Sequence, residues 1–133
     1  MMWKEKVFWS SIVGFFVVSL LGTAAHYWYD LSGQNPVVGF FAPVNESVGE
    51  HLKLLFYPYV LYVLVEYLIY GRKQKDFLFS RGLGLVCGLL SIPLIYFSYT
   101  LLTGKSILAV DIMIFFFAVG LAFYLSARRL LKR

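Results

Sequence analysis

Apolar residues run almost unbroken over residues 7–29, 54–70, 77–102 and 107–125, and polar residues gather in the three gaps between these runs and at both ends. An α-helix needs roughly 18–20 residues to cross about 30 Å of hydrocarbon, and each run is close to or above that length. The pattern predicts an all-α integral membrane four-helix bundle, one domain over residues 1–133 with spans of about 7–29, 47–70, 77–102 and 107–125. The basic start, apolar core and Thr23-Ala24-Ala25 of the first run imitate a signal peptide with a cleavage site. The run is longer than a usual signal core, so it reads as a retained helix.

Punctuation inside the pattern refines the picture. Asp30 to Pro36 is a turn-forming cluster. The following Val37 to Pro43 is too apolar for a solvated loop, so the first outer connection is expected to be partly re-entrant or interfacial. Ser47 and Glu50, three residues apart, match a capping box at the start of the second span, with Asn45 as an alternative cap. Pro58 and Pro93 each remove a backbone donor within a span. Glu66 lies about a turn from the end of the second span, placed to snorkel or to pair with Arg72. Gly84 and Gly88 form a small-xxx-small pair that allows close helix approach. Asp111, Ala118, Ala122 and Ser126 share a stripe on the fourth span, which favours tight packing or a narrow polar cavity.

Composition agrees: 60% of residues are hydrophobic, 14% are charged, and mean hydropathy is +0.75. The pI near 9.4 does not indicate a nucleic-acid partner, because the basic residues cap apolar runs rather than populate a soluble face. Ten of the twelve Lys and Arg fall at the amino end, from Arg72 to Arg81, or from Arg128 onward, leaving Lys53 and Lys105 on the other side. By the positive-inside rule both termini are expected in the cytoplasm of a multi-pass cell-membrane protein. Trp3, Trp9, Tyr27, Trp28, Tyr57 and Tyr59 fall near the expected interfaces, as an aromatic belt would. Cys87 has no partner with which to form an internal disulfide.

The densest chemistry is Asn45-Glu46-Ser47-Val48-Gly49-Glu50-His51-Leu52-Lys53. With His26, Asp30 and Asp111 it is expected at the outer level of the bundle. Asn45-Glu46-Ser47 also matches the glycosylation sequon. Together with His26-x-x-Tyr29-Asp30 and Asn35-Pro36-x-x-Gly39-x-Phe41-x-Pro43-Val44, this stretch resembles an uncharacterised family of small bacterial integral membrane proteins, over most of the chain. Members often carry Trp where this chain has Gly49. The resemblance implies a bacterial inner-membrane protein with four helices and no particular activity.

Several functions fit these residues. Asp30, Asn45, Glu46, Glu50, Lys53 and Asp111 would line a polar pocket that binds a cation or small polar ligand, for transport or sensing, with a homo-oligomer supplying the enclosed volume that four helices lack. Alternatively, His26, His51 and Glu50 would hold a divalent metal such as zinc with an open position, in a hydrolase-like membrane enzyme that has Glu50 or His51 as general base and His26 as a catalytic partner of Glu50 across helices. Haem ligation by the two histidines is a remoter variant. An accessory subunit of a membrane complex is a third class. No nucleophile elbow, phosphate loop or HExxH spacing is present in the sequence.

Overall fold

The computed structural model describes residues 2–43 and 48–132. Seven α-helices follow one another in this part of the chain: α1 (Trp3–Ala25), α2 (Trp28–Leu31), α3 (Pro36–Phe41), α4 (Val48–His51), α5 (Lys53–Ile69), α6 (Phe77–Thr103) and α7 (Leu108–Leu131). A 3₁₀ turn, Gly71–Lys73, joins α5 to α6. Four segments are long and apolar enough to cross a membrane: Trp3–Ala25, Val48–Ile69, Phe77–Thr103 and Leu108–Leu131. At most a third of each apolar window is buried within the protein. Leu101, Leu102, Leu20 and Phe16 are among the large side chains left outward. Apolar all round and mostly uncovered, such helices need lipid as their remaining partner.

The first and fourth spans differ from the expected limits. The first helix ends at Ala25 rather than Tyr29, because the Tyr27 amide bonds back to Ala24 at 3.1 Å and tightens the last turn. A new helical turn, α2, then starts at Trp28. The fourth helix continues to Leu131, beyond Leu125, since Ala127 and Leu130 remain buried. In the second span, α4 and α5 are separated by a turn at Leu52. Asn45 and Ser47, the expected caps, lie outside the described residues. The connection between the first and second spans contains a short helix: Pro36 opens α3, and the Asn35 side chain accepts from the Val37 amide at 2.9 Å and the Val38 amide at 3.4 Å.

Two close approaches hold the bundle. A Cβ on Gly84 would stand 2.2 Å from the Ala122 carbonyl oxygen, and one on Gly88 would stand 2.8 Å from that of Ala118. The small-residue stripe of α7 is therefore a packing surface for α6, not a cavity wall. On the other side of the bundle, Pro58 cannot donate to the Leu54 carbonyl one turn earlier. That oxygen faces α1 at Gly22, where a Cβ would meet it at 2.7 Å. Val18, Leu55, Tyr59, Ala118, Val119 and Phe123 form the centre of the core.

Candidate functional site

The best-formed polar centre lies at the end of the bundle that carries both termini. Arg81, one turn into α6, is fully buried, and Glu66 near the end of α5 is 3% exposed. Arg81 Nε donates to Glu66 Oε1 at 3.0 Å and Nη2 to Oε2 at 2.7 Å, the two-pronged geometry that suits guanidinium and carboxylate. Nη2 also donates to Ser11 Oγ of α1 at 3.0 Å, and Nη1 to Ser126 Oγ of α7 at 2.8 Å. One guanidinium thus joins all four spans. The second carboxylate oxygen of Glu66 accepts from Ser10 at 2.5 Å and Tyr70 at 2.8 Å. Tyr59 donates to the Arg81 carbonyl at 2.9 Å, and Tyr62 to the Ser10 carbonyl at 2.6 Å. The Tyr70 phenol, beyond the end of the span, is held protonated well above its ordinary range, first by burial and then by the Glu66 charge.

Glu66 therefore pairs with Arg81 and not with Arg72. The reason is the turn. Arg72 sits exposed on the 3₁₀ turn, while Asp76, in the left-handed region at φ 62, sends α6 back along α5 with Arg81 facing inward. A sequence signal exists: Glu66 and Arg81 stand at similar depths on either side of one short turn.

The opposite end holds the residues singled out by the motif. The rings of His26, just after α1, and His51, at the end of α4, lie 5.4 Å apart at an interplanar angle of 35°. Both side chains are half-buried. Lys53 Nζ bonds Glu50 Oε1 at 2.7 Å and the Gly39 carbonyl at 2.8 Å, tying α3 and α4 to the start of α5. Phe40 and Phe41 of α3 rest on Tyr57, one turn further along α5. The apolar connection thus folds back against the bundle. Glu50 bonds Lys53 rather than serving only as a cap. A Cβ on Gly49 would meet nothing within 4 Å among the described residues.

Asp111 and Asp30 have other surroundings. Asp111 receives a hydrogen bond from Tyr99 and one from Ser106 at 3.4 Å, and Tyr99 Oη in turn accepts from the Ile107 amide at 3.0 Å. Asp111 thereby closes the α6–α7 turn. Asp30 is exposed on α2. Asn45 and Glu46 lie outside the described residues. Among the described residues no group of three or more His, Cys, Asp or Glu could hold a metal ion.

Four membrane-length helices, pinned by a buried ion pair and carrying a histidine pair at the far end, define a multi-pass membrane protein. A family model described as a family of unknown function, DUF6512, matches residues 2–129, so the chain belongs to that family. No curated protein and no solved structure matches it.

Proposed function

We propose that this protein lies with both termini in the cytoplasm and that the histidine pair at its outer end binds a cation or small polar ligand, in transport or sensing across the cell membrane. The orientation rests on the concentration of Lys and Arg at the terminus end. The binding reading rests on one observation: two imidazoles from different spans stand 5.4 Å apart, beside a Glu50–Lys53 pair that is 23% and 22% exposed. Each neutral ring offers one nitrogen lone pair. A cation that draws on both would pull the ends of α1 and α4 together.

Zinc titration of the purified full chain in micelles tests this. Saturable binding of one ion per chain, lost in His26→Ala and in His51→Ala but kept in Lys53→Met, is the expected result, with helix content confirmed by circular dichroism. Zinc held equally by both histidine variants, or none bound at millimolar concentration, overturns the cation reading. The enzyme reading requires a third ligand beyond the two imidazoles.

A further inference from the structure

We infer that the groove between α1 and α7 at the terminus end is a binding site for one anionic phospholipid. This inference is independent of the histidine pair. The groove is open along its side and has a volume of about 520 Å³, with Phe15, Gly120 and Phe123 among the residues that line it and with Arg128 and Lys132 as its cations. Almost all the other lining side chains are apolar, which suits an acyl chain. From Gly120 to Lys132 the helix rises roughly 18 Å, about the reach of one chain and its headgroup linkage.

The two cations identify the headgroup. Arg128 and Lys132 are four residues apart on one face of α7, and both are exposed. Among the described residues neither side chain has a hydrogen bond or ion pair. Arg129 beside them behaves differently: its Nε donates to Ser80 Oγ at 3.1 Å and its guanidinium stacks on Phe79. A phosphodiester at the groove mouth would satisfy both vacant cations, and basic pockets between spans are suited to anionic headgroups. A second copy of the chain is a poorer occupant. Its own terminus end carries Lys4, Lys6, Arg72, Lys73 and Lys75, so pairing would set like charges against one another.

Native mass spectrometry of the full chain, released from micelles containing equal phosphatidylglycerol and phosphatidylcholine, tests the proposal. One phosphatidylglycerol is expected per chain, preferred by roughly tenfold or more. Arg128→Gln/Lys132→Gln should abolish the preference, whereas Lys73→Gln/Lys75→Gln at the same end should keep it. Gly120→Leu should block retention with both charges intact. A Cβ there meets only Phe15, at 3.5 Å, which is ordinary contact. Equal retention of the two lipids, equal loss in the Lys73/Lys75 variant, or a dimer that Gly120→Leu dissociates would each overturn it.

Discussion

Glu66→Gln should lower the unfolding free energy of the bundle in micelles by about 3–5 kcal/mol, the usual cost of removing one partner from a buried ion pair. The substitution keeps the shape of the side chain and deletes its charge. Arg81, with no exposed surface, then keeps one amide oxygen, the Ser11 and Ser126 hydroxyls and the Phe77 and Phe123 rings around it, but no counter-charge. Arg81→Lys should also destabilise, because an ammonium cannot reproduce the fork that reaches Glu66, Ser11 and Ser126 together. The double variant Glu66→Leu/Arg81→Met should recover most of the loss, since apolar replacement of a whole buried pair is often neutral or stabilising. Chemical unfolding followed by circular dichroism reads all three. A Glu66→Gln protein within about 0.5 kcal/mol of wild type would show that the pair does not hold the spans together.

Gly84→Ala should be the second large effect. Its methyl would sit 2.2 Å from the Ala122 carbonyl oxygen and 2.9 Å from Ser126 Cβ. Backbone cannot rotate away as a side-chain tip can, so α6 and α7 must separate along their closest line. Overpacking of this kind costs about 1–3 kcal/mol, and more when backbone is the obstacle. Gly82 lies two residues earlier on the same helix, and a methyl there meets nothing within 4 Å. Gly82→Ala should be neutral or stabilising by up to about 1 kcal/mol through helix propensity alone. Equal stability of the two variants would remove Gly84 from its role at the interface.

The contrast between these positions bears on what the sequence discloses. Spans of this kind are legible because lipid imposes length and uniform apolarity, a constraint that survives without knowledge of any contact. The Gly84–Gly88 pair and the Ala118–Ala122–Ser126 stripe were legible for a related reason: small residues repeated every four positions have little use except close approach. The end of α1 was not, because Ala25 to Tyr29 contains no helix breaker, and the interruption comes from amide pairing at Tyr27. The Glu66–Arg81 pair needed the third dimension. Arg72 is nearer in sequence, and only the reversal through Gly71–Lys73 and Asp76 decides which arginine turns inward. At the end away from the termini, the gathering of His26 with His51 followed from depth along two neighbouring spans. The same argument placed Asp111 at that level, yet depth says nothing of azimuth, and Tyr99 and Ser106 engage its carboxylate.

The location of the Arg81 centre gives the bundle a mechanical polarity. Bonds from one guanidinium reach α1, α5 and α7 at a common level near the termini, so the four spans are fastened there like the rivet of a pair of tongs. From Arg81 to Tyr99, α6 extends roughly 27 Å, and a tilt of about 5° at the rivet displaces its far end by about 2 Å. A change in crossing angle about that level would shift the end where His26, His51 and the folded-back α3 lie more than the end that holds Glu66, and the close approach of Gly22 to the Leu54 carbonyl would oppose it there.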